Sequence, residues 1–249
     1  MEVLQSLKQA DPIAVNLAGE WLNRAIADEA QTELIETYHA LQDDGPFSPD
    51  AAAAGRRALK NRCLSLLASR HDAQAAPLAI EQFNRATNMT DELSALLILD
   101  KLGGRRVDQS MTEFYDKWKD NPLVIDKWFA VQAGRHHPGG VEAIKALTQH
   151  SAFDPRNPNR VRALIGGFAM SNPHLFHHVS GAGYDFFTDQ VMDMDGRNPS
   201  VAARLLGVYE IWRKLDGKRQ DLIKAQLRRV IKAKPSKNVL EIATKTLGE

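Results

Sequence analysis

Along this chain apolar residues return at intervals of three and four, as in Leu64, Leu67 and Ala68 or Leu93, Leu96, Leu97 and Leu99. That spacing lines one face of an α-helix. No segment alternates apolar and polar residues between turns as a half-buried strand does, and Asp44-Gly45, Asp195-Gly196 and Asp216-Gly217 lie beside proline or between helical stretches. Seven of the eleven prolines follow Asp, Asn or Ser: Asp11-Pro12, Ser48-Pro49, Asn121-Pro122, Asp154-Pro155, Asn157-Pro158, Asn172-Pro173 and Asn198-Pro199. Most of these pairs predict helix starts. The short polar side chain accepts from an unpaired N–H of the first turn, and proline at the first helical position loses no bond there.

Between these marks the spacing predicts helices near 2–9, 12–26, 28–42, 49–70, 75–86, 90–101, 107–119, 122–134, 139–150, 158–170, 183–194, 199–215, 217–233 and 236–247. Short connectors favour antiparallel neighbours. The irregular spacing of the starts excludes a tetratricopeptide or ankyrin array and leaves a degenerate repeat. The predicted fold is therefore all-α: antiparallel helix pairs stacked into a HEAT/armadillo-like superhelix, with residues 1–249 read as a single domain.

Composition narrows the class. At 249 residues, 43% apolar and 25% charged, the chain has the make-up of a globular protein with a substantial core. Cys63 is the single cysteine, which excludes an internal disulfide and any cysteine-cluster metal site and suits a reducing compartment. No run of 18 apolar residues and no basic-then-apolar leader is visible, so no membrane partner is expected and the expected location is cytoplasmic.

The net charge of +1 conceals a gradient: residues 1–50 carry ten acids against two bases, and residues 213–237 carry ten bases against two acids. In the basic stretch Leu222, Ile223, Leu227, Val230 and Ile231 share one half of a helical wheel, while Lys218, Lys224, Arg228, Arg229 and Lys232 share the other. No aromatic side chains interleave the bases for stacking, so a core-packed helix with a solvated face is preferred to RNA binding, and no nucleic-acid partner is expected.

Candidate chemistry is sparse. His136-His137 and the group His174, His177, His178 lack the glutamate of a helical zinc-hydrolase motif, since Leu175 follows His174. They read as surface or turn histidines, with no metal held by this chain. Cys63 lies in an apolar helical run and reads as a buried thiol. Gly166-Gly167, within a predicted helix, reads as a close helix contact. Arg204 falls inside the stripe projected by Val201, Leu205, Val208, Ile211, Trp212 and Leu215. There it would snorkel, pair with an acceptor or project into a polar cavity.

The segments Asn121-Pro-Leu-Val-Ile-Asp-Lys-Trp-Phe-Ala-Val-Gln132, Asn157-Pro-Asn-Arg-Val-Arg-Ala-Leu-Ile-Gly-Gly-Phe-Ala-Met-Ser-Asn-Pro-His-Leu-Phe-His177, Gly181-Ala-Gly-Tyr184 and Arg197-Asn-Pro-Ser-Val-Ala-Ala-Arg-Leu205 resemble the C-terminal helical domain of the bacterial aminopeptidase N family, zinc-dependent peptidases of class M1. The likeness covers about residues 110–205. The family's Gly-Ala-Met-Glu-Asn and His-Glu-x-x-His motifs belong to an earlier part of its chain and do not occur here. The resemblance implies the tail of a longer polypeptide whose catalytic domain holds the zinc, with no cofactor in this chain and no activity by itself. It implies a domain that caps the active-site chamber and controls peptide access. The upstream catalytic domain and peptide substrates are then its partners, and self-association of the bare fragment is a further expectation. It also implies that Arg204 lines the chamber and contacts peptide carbonyls or carboxylate. Ser200, one turn earlier, stands where relatives place glutamine, which weakens any contact from it. A free-standing helical scaffold for protein–protein interaction is the alternative reading.

Overall fold

A computed structural model describes residues 7–43, 45–71 and 73–248. Their regular elements are all helical: α1 Pro12–Glu29, α2 Gln31–Ala40, α3 Ala51–Ala68, α4 Ala75–Arg85, α5 Met89–Leu102, α6 Arg105–Trp118, α7 Pro122–Gly134 and α8 Val141–Leu147. There follow α9 (158–171, with a π turn at Arg162–Gly166), α10 Pro173–Phe176, α11 Ala182–Asp195, α12 Pro199–Leu206, a 3₁₀ segment Gly207–Lys214, α13 Gly217–Lys232 and α14 Lys237–Leu247. The helix predicted at 2–9 lies largely outside the described residues, and 7–9 form bends.

Five of the seven polar–proline pairs open helices at the proline. Asp11, Asn121, Asn157, Asn172 and Asn198 each accept from a first-turn amide, as Asn121 does from Leu123 at 3.2 Å. The other two behave differently. Asp50 takes over as the cap of α3, receiving Ala53 N–H at 2.8 Å, and Asp154 closes a turn on Arg156 N–H at 2.9 Å.

The chain forms two compact units. In residues 17–117, α2 packs on α3, α4 on α5, and α3 on α5. In the other unit, which joins the leading segment through Asn16 to the chain from Trp118, α7 packs on α9, α10 bridges α9 to α11, and α11, α12, α13 and α14 pack as α11 on α12 and α13, and α14 on α12 and α13. Each unit thus has the paired, two-layer packing of a helical repeat.

The second unit is knit by glycines and buried polar groups. Gly181 adopts φ +81° ahead of α11, a left-handed conformation natural to glycine. A Cβ on Gly183 would stand 2.5 Å from the Leu175 carbonyl oxygen and 2.6 Å from that of Phe176. This approach seats α11 on α10 and puts the buried Tyr184 hydroxyl 2.8 Å from His177 Nδ1. Tyr209, also buried, donates to Tyr184 O at 3.1 Å and lies 2.9 Å from the Thr188 hydroxyl. The His177 carbonyl receives Arg219 Nε at 2.7 Å, and the same guanidinium pairs with Asp216 at 2.5 Å and Asp11 at 3.4 Å. Burial and the adjacent Arg219 charge hold the imidazole neutral, with its pKa pushed down to about 4, while burial pushes the Tyr184 phenol up.

Two predictions follow from this unit. Gly183→Ala should drive a methyl group into two backbone carbonyls that cannot yield, lowering unfolding free energy in urea by about 3 kcal/mol or more. His177 should make the protein acid-sensitive. The unfolded chain protonates this imidazole near pH 6.5 and the folded chain only near pH 4. Its contribution is therefore intact above pH 6.5 and is lost as the pH falls through that window, by about 3 kcal/mol. Urea titrations at pH 7 and 4.5 should show a smaller loss for His177→Gln; an equal loss would remove His177 as the cause.

Candidate functional site

Arg204 and Ser200 sit on α12, whose first turn is fixed by Asn198 receiving Val201 N–H at 3.2 Å and by Pro199 behind it. The structure corrects the expected position of Arg204. The buried side of this segment is Ala202, Leu205, Leu206, Tyr209 and Trp212, whereas Val201, Val208 and Ile211 are only half-buried and Arg204 is exposed. The projected stripe was rotated because the chain tightens into a 3₁₀ helix from Gly207, where three residues make a turn. Among the described residues Arg204 has no ion-pair partner, and Ser200 Oγ receives a long hydrogen bond from Asn238 Nδ2 at 3.5 Å.

The arginines that are buried are others. Arg160 Nε reaches Asp126 at 2.6 Å, its terminal nitrogens donate to the Ala152 and Pro122 carbonyls, and its guanidinium lies over the Phe129 ring at 5.1 Å. Arg219 is held as described above. Both are saturated with acceptors and hold loops to helices, which makes their role structural.

Two glycines of α9 face neighbouring helices. A Cβ on Gly167 would meet Ala133 of α7 at 3.2 Å, a tight approach, whereas one on Gly166 would make an ordinary contact with the Leu205 side chain of α12 at 3.5 Å. The close-contact reading holds at Gly167 and not at Gly166. On α7, α9 and α12 the exposed side chains include Leu123 and Met170, at 70% and 65%, and the cations Lys127, Arg162 and Arg204. Arg162 is engaged on its own helix, its Nε donating to the Pro158 carbonyl at 3.2 Å and its Nη2 to Asn159 Oδ1. What the exposed Arg204 guanidinium can do chemically is donate hydrogen bonds to oxygen acceptors.

Of the histidines read as surface or turn residues, His177 is instead buried between α10 and α11, where its ring meets Tyr184, and His137, His174 and His178 have local partners. His137 Nε2 lies 2.7 Å from the Gln132 carbonyl, His174 Nε2 3.4 Å from Asn16 Nδ2, and His178 Nδ1 2.9 Å from Ser180 Oγ. Among the described residues no three His, Cys, Asp or Glu side chains converge as metal ligands. Cys63 is buried, and that burial pushes its thiol up, away from the reactive thiolate. On α13, Ile223, Leu227 and Val230 are buried; on the basic side Lys224 pairs with Asp221 at 3.1 Å and Arg229 pairs with Asp189. In the unit 17–117 a polar cavity of about 130 Å³ is lined by Tyr38, Lys60, Glu81, Gln82, Arg85 and Asp91 among others. Among its lining, Asp91 accepts from Lys60 at 2.8 Å and from Asn61 at 2.9 Å. Burial alone would raise the Asp91 carboxyl, but the donors on it bring its pKa below the ordinary value. No described helix is long and apolar enough to cross a membrane.

Comparison with known proteins gives consistent matches. The family described as "Domain of unknown function (DUF3458_C) ARM repeats" matches residues 1–248. Aminopeptidase N of Caulobacter vibrioides is 43% identical over 241 residues, covering 96% of this chain and 28% of the relative. Aminopeptidase N of Escherichia coli is 40% identical over 219 residues, covering 87% and 25% respectively. Among solved structures, Legionella pneumophila aminopeptidase A in complex with aspartic acid aligns with a TM-score of 0.88 at 31% identity, over 99% of this chain and 30% of that one. The chain thus spans about a quarter of the length of these curated relatives.

Proposed function

Because the chain belongs to the DUF3458_C family of ARM-repeat domains and is homologous to the C-terminal part of aminopeptidase N, we propose that it is the non-catalytic domain capping the active-site chamber of a cytoplasmic zinc aminopeptidase. Residues 1–249 act in it as one domain, built of the two compact units. The observation that carries this reading is that Arg204 on α12 is exposed rather than buried in the core, with no ion-pair partner among the described residues.

The residues present do not fit a zinc site, since no ligand set converges among the described residues. The metal and the hydrolytic chemistry belong to the upstream catalytic domain of the same polypeptide. This chain's part is to wall the shared chamber and to orient peptide. The Arg204 guanidinium donates to a peptide carbonyl or the distal carboxylate, and its charge and fixed fork suit planar oxygen acceptors. Ser200, short and engaged by Asn238, contributes little reach.

The test compares this chain with the polypeptide that includes its upstream sequence. The longer protein should hydrolyse alanyl-p-nitroanilide in a chelator-sensitive manner and the 249-residue chain should not. Metal-dependent turnover by the short chain would defeat the proposal. In the longer protein Arg204→Ala should lower kcat/KM for tri- and tetrapeptides roughly tenfold or more, as expected for a lost charge-assisted hydrogen bond of about 1.5–3 kcal/mol, with zinc content unchanged. Unaltered peptide kinetics would leave Arg204 as a solvated surface residue.

A further inference from the structure

Helix α1 is amphipathic in the wrong sense for an outermost helix. Its contacts with the unit it joins run along a polar edge: Asn23 Oδ1 receives Arg62 at 2.8 Å, Asp28 pairs with Arg70 at 2.5 Å, and the Ala27 carbonyl receives Arg70 at 3.4 Å. Ala27, on that edge, is fully buried. On the opposite side Ala18, Trp21, Leu22, Ala25 and Ile26 share an arc of about 140° at the helical period. This side is turned outward, with Trp21 70%, Leu22 53% and Ile26 40% exposed, and Leu17 beside them is 49% exposed. Short helices draw most of their stability from burying such a face, and a stripe with an indole at its centre is not what a solvated helix carries.

We propose that this face is the flank of an interior repeat, covered by an amphipathic helix from the additional polypeptide found in the aminopeptidase relatives, of which this chain spans 25–28%. The inference rests on the reading of the chain as part of such an enzyme and goes beyond it by assigning the contact to α1. In a helical-repeat stack each repeat buries one flank on its predecessor and one on its successor, and the repeats that end the stack carry polar outer faces. The family is one of ARM repeats, and the outer face of α1 is apolar, so α1 is not built as a cap. Its pattern also suits a helix as occupant: Ala18 and Ala25 let a second helix axis come close, and Trp21, Leu22 and Ile26 form the ridges that fill its grooves.

The test is thiol labelling at position 21. Cys63 is 3% exposed and sets a slow background. Trp21→Cys in the 249-residue chain should react rapidly with a maleimide, at a rate independent of protein concentration. The same substitution in the polypeptide carrying its upstream sequence should react at least about thirtyfold more slowly. Should the substitution disturb folding of the longer protein, acrylamide quenching of the unsubstituted protein, with Trp21→Phe subtracted, reads the same site: Trp21 is quenched freely in the short chain and shielded in the long one. Equal access in both proteins overturns the inference. So does protection of the short chain that grows with its concentration, which would make a second copy the occupant, and so does an absence of upstream coding sequence. Peptidase activity measured on the same longer protein separates the two claims. Activity with position 21 open sinks only this inference, and protection without activity sinks only the functional reading.

Discussion

Two backbones can come into contact only where no side chain stands between them, and in the unit that carries Arg204 that constraint is met by glycine at two places. Gly183 brings α11 down onto the last carbonyls of α10, and Gly167 admits α7. A methyl group at Gly183 would collide with main-chain atoms, which cannot rotate away as a side chain can. From that seating follow the positions of Tyr184 against His177 and of Tyr209 against the Tyr184 carbonyl. The Phe176 ring is packed edge-on to Tyr184 and Phe187. The Gly181-Ala-Gly-Tyr184 segment, one of the runs on which the family likeness rests, is therefore explained by geometry: one glycine turns the chain and the next removes an obstruction.

Buried charge is handled in one consistent way. Arg160, Arg219 and Lys60 are each about 5–6% exposed, and each meets at least one carboxylate at hydrogen-bond distance. Desolvating a cation is costly unless its donors are satisfied, so these residues mark where loops are tied to helices. Arg204 differs in that its charge has not been withdrawn from solvent. An exposed arginine with no carboxylate beside it adds little to folding, which leaves its donors available for a ligand.

The surface of the chain also records what is not required for the fold of either unit. Leu123 on α7, Met170 on α9, and Trp21, Leu22 and Ile26 on α1 are exposed apolar side chains outside the buried cores. Residues of this kind cost solubility when bare and contribute nothing to the buried core. Their presence in a chain homologous to one part of a larger enzyme accords with surfaces that face other parts of that enzyme.

The helical period and the proline punctuation were legible along the chain because both act within one turn. Asn121, Asn157, Asn172 and Asn198 cap helices through amides two or three residues away, and no distant residue is needed for that. Ser48-Pro49 and Asp154-Pro155 misled because a second acceptor, Asp50, and a tight turn on Arg156 took the local bonds instead. The helical class and the repeat-like pairing were likewise contained in the sequence. The orientation of α12 was not. A wheel drawn at a constant period placed Arg204 among apolar residues because it carried Val208, Ile211, Trp212 and Leu215 on at the α period, whereas the chain winds as a 3₁₀ helix after Leu206 and the buried positions within α12 are Ala202, Leu205 and Leu206. Which arginines are buried, which side of α1 faces solvent and which helices pack on α12 depend on contacts between residues far apart in the chain. Local propensity carries no record of those contacts; only the packed tertiary structure decides them.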